Sequence, residues 1–286
     1  MKQKKDRFKD YIKKYLINNN EEFKTLLSYK NLKKNNQSYK YLTNKIYSLR
    51  FILDPKYVDK ILCDQFTEAY RVEDFEICYD VLTYIYKYYF FEIELRYADF
   101  PEKLYRKFMV PFRNDMQELI TSIIVLIRAS GNHLTNITLA DKELITGAEK
   151  VDGLLEFKDS VDYASNYPTY YLLDHKSGKL YYDYADGYEF SLVARRPVPV
   201  DDSLCQSNLL LLEAKGYGIY EDNRLVLNEY LSQPNAYNNY ERKLVKDMIP
   251  FNFEEVDEDD LILKFESEFK RISQMYSFDN ADGEVQ

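Results

Sequence analysis

The stretch NLLLLEAKG, residues 208–216, ends in two side chains that could do chemistry, Glu213 and Lys215. Side chains two residues apart on a strand point to the same face, so this carboxylate and ammonium group would stand side by side. Asp202, eleven residues earlier, could join them from a neighbouring strand. Two carboxylates bind Mg²⁺ well, and a lysine beside them steadies the attacking water or the developing charge. The pattern predicts a Mg²⁺-dependent nuclease with Asp202 and Glu213 as metal ligands.

This arrangement resembles that of the PD-(D/E)xK nucleases, with Asp201 as an alternative to Asp202. A second interpretation stays open, because the pattern is short and recurs at Glu156 and Lys158. In that interpretation Glu213 and Lys215 are the solvated end of a strand whose four leucines fill a core covered on both sides.

Arg128 and His133 form a second candidate pair, because Arg-x4-His is the spacing of HEPN ribonucleases. In those enzymes the pair would act on an RNA 2′-hydroxyl and phosphate. Ser130-Gly131-Asn132, between the two residues, reads instead as the end of a helix with a positive side chain in its last turn. The other histidine, His175, follows Asp174 in a segment predicted to be a hairpin.

Composition excludes several classes of protein. The chain has 286 residues, 45% hydrophobic and 16% aromatic, which is enough for a buried core. It contains no long uncharged apolar run, and its N-terminal segment is charged throughout, so we expect a cytoplasmic protein with no membrane association. Three widely spaced cysteines predict reduced core thiols. The abundance of Lys, Asn, Ile and Tyr indicates an AT-rich coding sequence, as in a low-GC bacterium, its phage or plasmid, or an AT-rich virus.

Charge is unevenly distributed along the chain. Residues 1–50 carry 14 basic against 4 acidic side chains, and residues 251–286 carry 3 against 11. A basic arm with interspersed tyrosines could bind a nucleic-acid backbone or an acidic partner. It could equally be a solvated helical face, or be covered by the acidic tail of the same chain.

Residues 1–130 are predicted to form a helical domain, because they contain no glycine and their apolar residues recur at helical spacing. The segments from Lys56 to Arg71, from Asp74 to Phe100, from Lys103 to Met109 and from Met116 to Ser130 are all read as helices. Five to seven helices in sequence indicate a helical bundle.

Residues 131–286 are predicted to form a second, α+β domain, because glycines and prolines typical of turns between strands recur from there on. The clearest element is a three-stranded antiparallel meander with strands at 170–173, 180–184 and 188–194. Ser177-Gly178 and Asp186-Gly187 would form its turns. Strand 208–215 follows, and then helices from Arg224 and Tyr240. The expected fold class is α+β, with a helical N-terminal half and an antiparallel C-terminal half.

The segment YYLLDHKSGKLYYDYADGYEFSLVA, residues 170–194, resembles the central strands of the SUKH superfamily. DFPEKLYRKFM, residues 99–109, is similar to the proline-led helix of that family. The resemblance spans about residues 92–195. It implies a non-catalytic protein-binding module of the kind found in toxin immunity and regulatory proteins.

The leading functional hypothesis is therefore an interaction protein of immunity, defence or mobile-element regulatory type, with a protein partner. Tyrosines suit that role because they supply contact area at little cost in side-chain entropy. Whether the chain is an enzyme stays open, since the Mg²⁺-dependent nuclease and the HEPN-like ribonuclease are both alternatives. The sequence leaves the partner and the oligomeric state undetermined.

Overall fold

The computed structural model describes residues 58–72, 74–146, 161–167, 169, 171–183, 185–232 and 239–281. Its helices are α1 Lys60–Arg71, α2 Phe75–Tyr88, α3 Met116–Leu126, α4 Tyr171–His175, α5 Arg224–Leu231, α6 Asn239–Met248 and α7 Glu258–Ala281, with a 3₁₀ turn at Ala164–Asn166. Its strands are β1 Tyr89–Tyr97, β2 Tyr105–Pro111, β3 Thr135–Thr138, β4 Glu143–Ile145, β5 Val161–Tyr163, β6 Ser177–Tyr182, β7 Tyr188–Ala194, β8 Val198–Pro199 and β9 Leu210–Lys215. Outside the described residues lie residues 1–57 of the predicted helical domain, which include the whole basic arm, and the repeated Glu156 to Lys158 pattern.

The first of two compact units comprises residues 1–90 and 196–206. In its described part, α1 packs against α2, and each helix begins at an aspartate whose carboxylate accepts a backbone amide hydrogen bond. These caps are Asp59 and Asp74. Residues 89–90 at the start of β1 pair with β8. Cys63, Cys78 and Cys205 are buried and none forms a disulfide bond, in agreement with the prediction of core thiols.

The second unit comprises residues 91–195 and 207–286. Its strands follow the order β5-β4-β3-β6-β7-β1-β2-β9, and all described pairs are antiparallel except β4–β5. Helix α3 is apolar on nearly every side and almost wholly buried, and α7 packs against it. The α+β class is thus confirmed. The predicted boundary at residue 130 falls within this unit, because α3 and the strands after residue 131 share one core.

The prediction of helix was wrong for residues 89–100 and 103–109, which contribute strands β1 and β2. In β1 the apolar residues Phe91, Ile93, Leu95 and Tyr97 are buried and alternate with half-exposed charged ones. That period of two is a strand signal. It was hidden because α2 runs into β1 at Tyr89 with no glycine or proline between them.

The predicted three-stranded meander is also corrected. Residues 171–175 form helix α4 rather than a strand, and Ser177-Gly178 begins β6 rather than forming a turn. Strands β6 and β7 do form a hairpin, with Gly187 at a φ of +71° in its turn, as predicted. The third strand beside them is β3, which pairs with the other edge of β6. The predicted helices from Arg224 and Tyr240 are confirmed as α5 and α6.

Within the described residues, no helix combines the length and apolarity needed to cross a membrane.

Candidate metal centre

Asp202, the first predicted Mg²⁺ ligand, lies in the first unit and is held by two side chains of α2. The Tyr88 hydroxyl donates to its carboxylate at 2.8 Å, and Lys87 Nζ lies 3.2 Å from the same oxygen. These hydrogen bonds lower the pKa of Asp202 below its ordinary value. A lysine and a tyrosine therefore already satisfy this carboxylate.

Glu213 and Lys215 lie in the second unit, and both are exposed on β9. The Tyr105 hydroxyl lies 3.3 Å from Glu213 Oε2. Lys215 lines an open cavity of about 700 Å³, whose walls also carry Lys103, Lys246 and Phe253. The two residues flank Ala214, but Asp202, the other predicted metal ligand, belongs to the first unit, so the nuclease site stays a prediction.

The leucines before Glu213 do not lie in a strand covered on both sides, which corrects that interpretation. β9 stands at the end of the strand order, paired with β2, and Leu212 is exposed. A run of leucines cannot by itself distinguish a central strand from an edge strand. The outward amide of Ala214 donates to Glu258 of α7 at 2.8 Å, so a carboxylate covers this part of the edge.

Arg128 and His133, the predicted ribonuclease pair, do not share a helix. Helix α3 ends at Leu126, and both Arg128 and Gly131 have positive φ. Arg128 Nη2 donates to Asp260 of α7 at 3.0 Å, and its guanidinium stacks over the Tyr217 ring. His133 faces elsewhere, toward two carboxylates.

The carboxylates that face His133 belong to Asp183 and Asp222. His133 Nδ1 lies 3.7 Å from Asp183 Oδ1, and Nε2 lies 3.5 Å from Asp222 Oδ1. One candidate ligand atom from each of the three side chains lies within 4.8 Å of the others. Within the described parts of the chain, this is the group of three or more His, Cys, Asp or Glu side chains that could hold a metal ion.

Local backbone structure places each of these side chains. His133 follows the turn after α3, Asp183 directly follows β6, and Asp222 lies in the turn before α5. Asp183 and Asp222 have φ of +56° and +60°, a left-handed conformation that aspartate tolerates better than most residues. Asp183 Oδ1 also accepts the amides of residues 185 and 186, which fixes the carboxylate within the hairpin turn.

Asp183 carries an unusual feature for a buried carboxylate. Its side chain is only 3% exposed, yet Oδ2 has no hydrogen-bond partner among the described residues. A buried charged oxygen without a partner is costly, and such groups are paired or bind metals in folded proteins. The other oxygen of this carboxylate, Oδ1, lies 3.7 Å from the His133 imidazole, and a cation bound here would compensate the buried charge.

Glu221 ties together the segments that carry the three ligands. Its Oε1 accepts the Ser130 amide at 2.9 Å, the Ser130 hydroxyl at 2.8 Å and the Tyr182 hydroxyl. Tyr182 is fully buried, and its ring lies edge-to-face against His133. Burial, and then the hydrogen bond to Glu221, raise the pKa of Tyr182, so the phenol remains a proton donor to that carboxylate.

The donor set fits a divalent first-row transition metal. One imidazole and two carboxylates are ligands of Zn²⁺, which binds them at about 2.0–2.2 Å. Two ligands of one such ion lie at most about 4.2 Å apart, so the group must contract slightly on binding. Asp222 is 72% exposed and can make that movement. Three protein ligands leave a coordination position open to water, as in catalytic zinc sites.

Sequence reasoning singled out His133 but paired it with Arg128, which the structure places against Asp260 and Tyr217, and it did not single out Asp183, Asp222 or Glu221. The ribonuclease hypothesis stays a prediction. The three ligands are spread over ninety positions of the chain, with no motif spacing. The available signal was the presence of each aspartate in a turn, Asp183 before Asp186-Gly187 and Asp222 before Asn223. Antiparallel pairing of β3 with β6 brings His133 and Asp183 to the same end of the sheet, and Asp222 joins them from the segment between β9 and α5.

Comparison with known proteins identifies no family. No protein-family model matches the chain, and no curated protein matches it, so the SUKH resemblance stays a prediction. Among solved structures, the chain is similar to a protein of unknown function from Methanosarcina mazei Go1, with 15% sequence identity and a TM-score of 0.49. The match covers 60% of this chain and 96% of that one.

Proposed function

We propose that this protein binds one divalent transition-metal ion through His133, Asp183 and Asp222 and uses it for hydrolysis. The observation that carries the proposal is the meeting of these three side chains, one of which, Asp183, is buried with an oxygen, Oδ2, that has no partner among the described residues. Zn²⁺ in such a site lowers the pKa of bound water to about 7, which makes hydroxide available at neutral pH. The exposure of Asp222 would give a substrate access to the open coordination position.

Calorimetric titration with Zn²⁺ tests the metal site directly. We expect one ion per chain for the wild type, and affinity lowered by about 100-fold or more in His133→Ala and Asp183→Ala, because each removes one of three ligands. Asp202→Ala and Glu213→Ala are the matched controls and should bind Zn²⁺ as the wild type does. Failure of the wild type to bind would overturn the proposal.

Cleavage assays with the metal-loaded protein then separate the two nuclease hypotheses. DNA, RNA and aryl phosphate esters are suitable substrates, since the sequence pattern at Glu213 already predicts action on a phosphodiester. Loss of hydrolysis in His133→Ala but not in Glu213→Ala would assign the chemistry to the metal centre described above. The reverse result, with Mg²⁺, would assign it to Asp202, Glu213 and Lys215.

A second candidate is the interaction protein of immunity, defence or mobile-element regulatory type. The observation that favours it is the outward face of α7, where Ile262 is 53% and Leu263 is 82% exposed. Large exposed apolar patches mark protein-binding sites, and these two side chains would form the centre of such a patch. This candidate predicts that Leu263→Lys abolishes association with a protein partner without changing Zn²⁺ affinity, which native mass spectrometry can measure.

A further inference from the structure

Each proposed metal ligand has a near neighbour on its N-terminal side that takes part in a single hydrogen-bonded cluster. Ser130 precedes His133 by three residues, and Tyr182 and Glu221 directly precede Asp183 and Asp222. Ser130, Tyr182 and Glu221 meet at one oxygen, Glu221 Oε1. We name these three residues the carboxylate clasp.

We infer that Glu221 is a positioning residue, which sets the geometry and affinity of the metal site through the carboxylate clasp. The inference rests on the proposed metal site and adds to it the group that organises its ligands. Residues that orient metal ligands typically change affinity by about 10–100-fold when they are removed.

The contacts on the His133 side are well defined. The Ser130 hydroxyl accepts the Asn132 amide at 3.1 Å, which closes the turn that leads to His133. The Gly131 amide donates to the Tyr182 hydroxyl at 3.2 Å. When Glu221 accepts from both Ser130 and Tyr182, it fixes the backbone on which the imidazole stands.

The Ser130 segment is also held from the opposite side by α7. Arg271 Nη2 donates to the Ser130 carbonyl at 2.9 Å, and the Tyr276 hydroxyl lies 3.4 Å from the Gly131 carbonyl. A Cβ atom added to Gly131 would lie 3.1 Å from Ile272 Cγ2, so the turn packs closely on the helix. The carboxylate clasp therefore joins the turns that carry Asp183 and Asp222 to the Ser130 segment, which α7 holds in place.

The aspartate turns are held by further backbone contacts. The Tyr188 hydroxyl donates to the Tyr220 carbonyl, and the Asn223 amide donates to the same carbonyl at 3.1 Å, so the turn with Asp222 has a fixed base. Tyr182 ends β6 next to Asp183, and its phenol is the link that joins that strand end to Glu221. Loss of the hydrogen bond between Tyr182 and Glu221 would leave the Asp183 turn and the Asp222 turn in place but would no longer fix one relative to the other.

The test uses Co²⁺ as the probe, because its visible absorption reports ligand geometry as well as affinity. We expect Glu221→Ala to lower Co²⁺ affinity by about 10–100-fold and to alter the absorption spectrum. Glu221→Gln keeps an oxygen that can accept the same hydrogen bonds, so it should restore most of both. Glu189→Ala, which removes a glutamate of β7 paired with Lys179, is the matched control.

A double variant separates a clasp from independent contacts. Tyr182→Phe keeps the ring beside His133 but removes the hydroxyl, so it should weaken binding. Combined with Glu221→Ala it should lower Co²⁺ affinity little further, because both changes break the same hydrogen bond.

If the wild type fails to bind Co²⁺, the metal site itself is wrong. If the wild type binds and Glu221→Ala matches it in affinity and spectrum, the metal site stands and the clasp is refuted. If Glu221→Gln is as weak as Glu221→Ala, Glu221 is a direct ligand and its assignment as a positioning residue is refuted.

Discussion

At the scale of single residues, Asp183 shows how a side chain that lowers the free energy of unfolding can indicate a functional site. Its carboxylate is buried, and one of its oxygens has no hydrogen-bond partner among the residues that the structure describes. Buried unsatisfied charge destabilises a fold, and proteins commonly retain such costs where function requires them. The conformation with positive φ at this residue agrees with that interpretation.

Because burial of the Asp183 carboxylate should destabilise the metal-free protein, we make a prediction for Asp183→Asn. The variant keeps the acceptor for the amides of residues 185 and 186 but carries no buried charge, so we expect the metal-free protein to become more stable by about 1 kcal/mol. Zn²⁺ affinity should fall in the same variant. Urea unfolding in the presence of a chelator measures the first effect.

Asp222→Asn is the matched control for that experiment. Asp222 is a proposed ligand of the same metal but is largely exposed, so its neutralisation should change stability by less than about 0.5 kcal/mol while also weakening Zn²⁺ binding. Equal or lower stability of Asp183→Asn relative to the wild type would show that the buried carboxylate carries no net cost.

At the scale of elements, Arg106 joins the end of α3 to strands β2 and β9. It is fully buried and donates to five backbone carbonyls, those of Tyr105, Leu126, Lys215, Gly216 and Tyr217. Carbonyls at a helix end and beyond a strand end have no partner within their own element. One guanidinium satisfies them together, and it thereby fixes the segment that leads from β9 toward Asp222.

We predict that Arg106→Met destabilises the protein by about 3 kcal/mol or more, because it leaves several buried carbonyls without donors. Arg106→Lys should recover little of the lost stability, since an ammonium group cannot reach the same five acceptors. Urea unfolding monitored by circular dichroism measures both. Arg96→Ala, on the half-exposed face of β1, is the control and should cost less than about 1 kcal/mol. A similar loss of unfolding free energy in Arg96→Ala and Arg106→Met would contradict the role of Arg106 in joining these elements.

The elements also show what the sequence could and could not predict. Helices α1, α3, α5 and α6 and strand β9 follow from local periodicity, because each pattern is bounded by a capping residue, a turn or a glycine. β1 was missed because it continues from α2 without a break, and α4 was taken for a strand because five residues are too few to show a helical period. Such short or fused segments are decided by tertiary packing rather than by local preference.

At the scale of the whole molecule, the candidate site depends on topology. His133, Asp183 and Asp222 follow three different elements, and the pairing of β3 with β6 is what places the first two together. No spacing in the sequence encodes that meeting. The Glu-x-Lys pattern of β9 could be found in the sequence because Glu213 and Lys215 are only two positions apart, whereas the proposed metal ligands lie far apart in the chain.

Anomalous diffraction from crystals grown with Zn²⁺ tests the central claim most directly, since it locates the ion without reference to activity. The metal-centre account predicts a peak about 2.0–2.2 Å from one atom each of His133, Asp183 and Asp222, with Glu221 still bound to Ser130 and Tyr182. A fully occupied peak at Asp202 or Glu213, or no ordered peak in crystals saturated with Zn²⁺, would contradict it.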